Sequence, residues 1–156
     1  MIVHLAGGAL LARQVEIVGA EDAKPRALIV IDPRRSETAA MADIHLAIAP
    51  GTDAWCLAAI LGVLVQEQLV NTAWVHAHTT GLEEVLGTFD RVPVASYAAI
   101  CDVPESQLRD TARLIARADS VSVFEDLGLQ MNVHSTLNSY LQRLMWTLTG
   151  HYGRPG

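Results

Sequence analysis

The chain has 156 residues, enough for one domain with a real core, and its 51% apolar and 18% charged residues exclude a disordered segment. The formal net charge of -6 argues against a general electrostatic grip on nucleic acid, although a local arginine cluster can still hold a phosphate. The most apolar run, Ala54 to Val65, is too short to span a bilayer and reads instead as a helix buried on all sides. No signal peptide is evident. The two cysteines, Cys56 and Cys101, lie far apart in sequence and belong to no CxxC or Cys/His pair. They suit a reducing, cytoplasmic compartment and give no zinc or iron–sulfur ligand set.

In chain order, Ile2 to Leu5 reads as a first strand, followed by Gly7-Gly8 at a turn. Leu10 to Val18 is expected to be helical, with Val15, Ile17 and Val18 lending it strand character. Ala27 to Ile31 is a short apolar strand bounded by turn residues. Ser36 to Ala42 follows as a short helix that Ser36 or Asp32 can cap. Ile44 to Ile48 is the next strand. Pro50-Gly51 breaks it, and Thr52 can cap a long helix running to about Val70. Short helices are expected over Thr72 to His78 and Gly81 to Phe89, while Pro93 to Ile100 is ambiguous. Val103-Pro104-Glu105 opens an amphipathic helix with Leu108, Ala112, Ile115 and Ala116 as its buried stripe. Val121 to Phe124 is a strand, and Leu137 to Leu148 a last helix stopped at Gly150. Strands alternating with helices predict an α/β fold: a Rossmann-like, three-layer parallel sheet with helices on both faces.

Two polar loops stand out because both follow strands, and ligands bind at that edge of an open α/β sheet. In the first, Asp32-Pro33-Arg34-Arg35-Ser36, a carboxylate can accept from a ribose or from the N–H edge of guanine. An arginine can pair with phosphate or stack on a base. The plainer alternative is a turn with solvated arginines. In the second loop, Gly51-Thr52-Asp53 opens a helix whose N–H groups favour a polar ligand edge. Here the alternative is simple capping. An acidic residue there repels a phosphate, so Asp53 suits a base edge or ribose. Gly7-Gly8 is a phosphate-loop candidate without GxGxxG or GxxxxGK[ST] spacing, which argues against ordinary NAD and P-loop sites. His76 and His78 lie on different helix faces and make no natural metal pair. Cys56 reads as core, and no Ser-His-Asp or Cys-His constellation is apparent.

With these residues in place, the chain resembles the molybdopterin oxidoreductases of the dimethyl sulfoxide reductase family, which includes formate dehydrogenases and nitrate reductases. The resemblance is strongest over VIDPRRSETAAMADIHLAIAPGTDAWCLAAIL. It continues through the HTTG run at His78 to Gly81 and the VPESQLRDTARLIA helix, and closes on LTGHYGRPG. It implies that residues 1–156 form one domain of a larger enzyme, holding one guanine dinucleotide arm of a bis-molybdopterin guanine dinucleotide cofactor with molybdenum or tungsten. By the resemblance, Asp32, Pro33, Arg34, Arg35 and Ser36 meet the guanosine and phosphate part, and Gly51, Thr52 and Asp53 the guanine or ribose. The loop after the Val121 to Phe124 strand, commonly MGxNQHTxGT, supplies Gly128 and Gln130. Its usual Gln falls on Met131, so Gln130 or Asn132 takes over that contact. The first turn, Ala6-Gly7-Gly8-Ala9, lacks the family's asparagine.

The family's metal ligand and iron–sulfur cysteines lie upstream of the matched region. No catalytic residue and no metal ligand is therefore assigned here, and catalysis by this chain alone is not expected. The implied partners are the remaining domains of the parent oxidoreductase and the guanine nucleotide of the cofactor, with neither nucleic acid nor membrane. An interdomain face left uncovered is expected to promote self-association, with Met131, Leu127, Trp146 and Tyr152 as candidates. The alternative is a standalone, non-catalytic nucleotide-binding or subunit-interaction module; a small independent nucleotide-dependent enzyme is a third reading.

Overall fold

A computed structural model describes residues 27–153 together with the backbone of a strand at Ile2–Leu5. The strands are β1 (Ile2–Leu5), β2 (Leu28–Ile31), β3 (Ile44–Leu46) and β4 (Ser122–Glu125). They form one parallel sheet in the order β3-β2-β1-β4. The helices among the described residues are α1 (Glu37–Ala40), α2 (Asp53–Gln66), α3 (Thr72–His78), α4 (Leu82–Phe89), α5 (Val94–Cys101), α6 (Glu105–Arg117), α7 (Leu127–Gln130) and α8 (Ser135–Leu148). The architecture is α/β, as expected. The predicted Leu10 to Val18 helix and the Gly7-Gly8 turn lie outside the described residues.

Strand β2 is buried along its whole length, as a parallel strand covered on both faces must be. Its side chains alternate. Ile29 and Ile31 join the main core, while Leu28 and Val30 pack with Ala39 of α1 and, at the margin, Ala42. Ser36 caps α1, its Oγ accepting from the Ala39 N–H at 3.3 Å.

Helix α2 is the centre of the main core. Cys56, Leu57, Ala59, Ile60, Leu61, Val63 and Leu64 are all buried, matching the continuous apolar run in the sequence. It packs against α4, α5, α6 and α8. Gly62 sits where α2 passes the segment before α5: a Cβ there would lie 2.9 Å from the Val92 Cβ. Beyond the helix, Glu67 accepts from Arg113 at 2.7 Å and from Arg109 at 2.9 Å, tying this end of α2 to α6. The hydrogen bond from Arg113 holds the Glu67 carboxyl below its usual range.

Several boundaries differ from the sequence reading. Helix α2 stops at Gln66, four residues early, because Gln68 takes a positive φ of 56°. The ambiguous stretch before Ile100 is helical, as α5. The polar loop after β4 contains the single turn α7, and α8 starts at Ser135. Gly150 ends α8 as expected, with φ 72°. Its N–H reaches the Thr147 carbonyl and the His151 N–H the Trp146 carbonyl, the double bond of a Schellman stop.

Trp146 is a correction. It was expected on an exposed face and is buried, at 6% exposure. It belongs to the α8 stripe of Asn138, Leu141, Gln142, Met145 and Trp146, whose three- and four-residue spacing turns toward the core. Leu127, Met131 and Tyr152 are exposed as expected.

Candidate functional site

All strands are parallel, so their C-terminal ends share one edge. The loop after β2 carries Asp32 to Ser36, the loop after β3 leads into Gly51 to Asp53, and the segment after β4 carries Gly128 to Asn132. The three candidate segments therefore emerge at the same edge of the sheet.

Asp32 is buried at the end of β2. Its N–H donates to the Leu46 carbonyl at 3.2 Å, extending the β2–β3 pairing by one residue. Its Oδ1 accepts from the Arg34 N–H at 2.7 Å, the Asx turn that the plainer sequence reading described. The His45 ring lies 2.9 Å from the Asp32 carbonyl oxygen. This bonding turns the chain sharply and leaves Pro33, Arg34 and Arg35 exposed. Among the described residues neither arginine takes part in an ion pair. Ser36 is spent on capping α1.

In the second loop Gly51 is exposed and has φ 83°, a conformation that favours glycine. Thr52 holds the N-cap position of α2, but its hydroxyl donates to the Ala49 carbonyl at 2.7 Å and makes no capping bond. Asp53, the first residue of α2, is buried at 5% exposure. Burial pushes its carboxyl above the ordinary 3.8, the charge of Asp32 adds to the rise, and hydrogen bonds from its own backbone N–H and from Asn132 offset part of it. Asp32 and Asp53, from different loops, are thus electrostatic neighbours.

The third segment closes on the second. Asn132 Nδ2 donates to Asp53 Oδ2 at 2.6 Å. Gly128 and Gln130 are exposed on α7. Leu129 between them is buried and anchors the turn.

Besides the Asn132–Asp53 bond, sequence reasoning missed two pairings. The Cys56 and Cys101 thiols, far apart in sequence, are neighbours in the core, and Cys101 together with burial pushes the Cys56 thiol up. Cys101 Sγ also lies 3.5 Å from the Thr52 carbonyl. The second is Trp55 against His134, ring centres 5.3 Å apart and edge to face. Local spacing carries no signal for either. Among the described residues, no group of three or more His, Cys, Asp or Glu could hold a metal ion. No helix among them is long and apolar enough to cross a membrane.

The edge gathers groups that could meet a polar ligand. A buried carboxylate can accept from a base or ribose, an exposed glycine lets a ligand approach the backbone, and two exposed arginines stand one loop away.

No protein-family model matches the chain. Over 129 residues it is 32% identical to a nitrate reductase of Synechocystis, covering 83% of this chain and 18% of that protein. It is 33% identical over 130 residues to formate dehydrogenase H of Escherichia coli, covering 82% of this chain and 18% of that protein. Among solved structures it is similar to the acetylene hydratase from Pelobacter acetylenicus. There the TM-score is 0.87 at 26% identity, over 97% of this chain and 22% of that one. The chain thus spans about a fifth of the length of these relatives.

Proposed function

The chain belongs to the molybdopterin oxidoreductases of the dimethyl sulfoxide reductase family, and from that premise we propose that it is the domain holding one guanine dinucleotide arm of the parent enzyme's bis-molybdopterin guanine dinucleotide cofactor. The observation that carries this reading is Asp53: a buried carboxylate at the start of a long helix, on the ligand edge, with no ion-pair partner among the described residues.

In this reading the carboxylate of Asp53 accepts the two adjacent N–H groups of guanine. Adenine presents an unprotonated ring nitrogen at the corresponding place, which a carboxylate repels, so the same contact gives specificity. Gly51 and Thr52 present backbone beside the base or ribose. Asp32 to Ser36 line the guanosine, with Arg34 and Arg35 supplying charge to the phosphates. Gly128 and Gln130 lie toward the pterin end. The fold is then the Rossmann-like, three-layer arrangement the resemblance implies.

When bound, the cofactor supplies two-electron chemistry at a molybdenum or tungsten atom. This chain's residues bind and orient; other domains of a cytoplasmic parent, formate-dehydrogenase-like in kind, supply the metal ligand.

Calorimetric titration with GDP, against ADP and an Asp53→Ala variant, tests the reading. Saturable GDP binding that ADP does not match and the variant loses supports it. Equal binding of both nucleotides, or binding unaffected by the variant, removes the guanine assignment.

A further inference from the structure

We infer that Asn132 is the positioning residue for Asp53, its side-chain amide holding the carboxylate in place as the acceptor for the guanine edge. This rests on the reading of Asp53 as the base-recognition group.

Asn132 is a side-chain donor from a distant part of the chain, 79 residues from Asp53. Its orientation is fixed from both ends. Oδ1 accepts from the His134 N–H at 3.2 Å, so Nδ2 must face the carboxylate, which can only accept. The segment is in turn pinned to α2. The His134 ring meets Trp55, two residues past Asp53, edge to face. The His134 carbonyl accepts the Asn138 N–H at 2.8 Å as α8 begins. Met131 and Val133, on either side of Asn132, are 81% and 93% exposed. Asn132 alone of the three turns inward, to a carboxylate.

Asp53 needs this partner. The titratable groups around it are Asp32 at the end of β2, Cys56 one turn along α2, Cys101 on α5 and His134 across from Trp55. None of them forms an ion pair with it among the described residues. Besides its own backbone N–H, the Asn132 amide is the donor that favours its ionised form. A carboxylate has about four lone-pair sites, so two such donors leave acceptor capacity for a ligand. Without Asn132, burial and Asp32 push the group toward its neutral form, which donates where guanine needs an acceptor.

The test uses Asn132→Ala and the near-isosteric Asn132→Asp in the 156-residue chain, with folding checked by circular dichroism. The titration midpoint of the Asp53 carboxyl is read by carbon-detected NMR, and GDP affinity is measured from pH 5 to 8.5. The midpoint is expected to rise in Asn132→Ala and further in Asn132→Asp. GDP affinity should fall by about tenfold per unit of that rise at pH below the midpoint, and Asn132→Ala should return toward wild type above it. An unchanged midpoint, or a loss of affinity equal at every pH, overturns the inference while leaving the guanine reading intact. A wild-type chain that takes no GDP, or takes ADP equally well, overturns both.

Discussion

The Thr52 hydroxyl donates to the Ala49 carbonyl, 2.7 Å behind it, and accepts no N–H from the helix it precedes. The bond closes the Pro50-Gly51 turn and leaves the first turn of α2 without a side-chain cap. A helix start left this way, beside an exposed glycine, is open to a polar ligand. Thr52→Val keeps the shape and removes the bond. We expect a loss of about 1 kcal/mol in urea unfolding and weaker GDP binding as the turn loosens. Unchanged stability would show that the turn does not depend on this hydroxyl.

Asp53 should cost stability for the sake of its place. Its folded pKa lies above the ordinary 3.8 because burial penalises the charge. The folded chain therefore holds this proton more tightly than the unfolded chain does. Stability is lost as pH rises through the window from 3.8 up to the folded value, and the cost is absent below it. Asp53→Asn removes the charge and can still accept from Asn132. The variant should be more stable than wild type at pH 7, with the difference shrinking as pH falls through the folded value toward 3.8 and gone below it, and it should bind GDP poorly. Thermal unfolding at pH 7 and pH 3 reads the difference; a gain that grows on acidification would contradict the assignment.

Gly62 is fixed by a neighbour. An added Cβ would stand 3.0 Å from the Val92 Cγ1 and 2.9 Å from the Val92 Cβ, which cannot move without the backbone. Overpacking costs about 1–3 kcal/mol, against about 1 kcal/mol returned by the better helix propensity of alanine. Gly62→Ala should lower the urea midpoint, and Val92→Gly, which removes the Cβ as well as Cγ1, should cost less in the Gly62→Ala chain than in wild type. Additive effects of the two changes would remove the contact as the cause.

Met131 and Val133 expose large apolar side chains on the segment that carries Asn132. In the parent, we expect other domains to cover this ridge; in the isolated chain it should drive self-association. Sedimentation of wild type against a Met131→Ser, Val133→Ser double variant reads this. Concentration-dependent association that the double variant abolishes is the expected result, and a wild type that stays monomeric would contradict it.

What the sequence made legible follows from what is local. The β2 strand, the Asp32 turn and the α2 opening announce themselves through short apolar runs ending in Asp, Pro and Gly, and the structure brings both loops to one edge. Trp146 was misread as exposed: its spacing from Gln142 and Asn138 marks a core stripe, a signal that outweighs the size of the ring as a sign of an interface. The Asn132–Asp53 and Cys56–Cys101 pairs were not legible as contacts. Each joins elements that meet only through tertiary packing, and a residue type that pairs across such distances leaves no periodic trace.

The central claim is that a guanine nucleotide lies at this edge, and amide chemical-shift mapping of the isotope-labelled chain during GDP titration tests it most directly. The account predicts saturable shifts concentrated at residues 32–36, 51–53 and 128–134, weak or absent with ADP. Shifts centred elsewhere on the surface, or the same shifts with ADP, would contradict it.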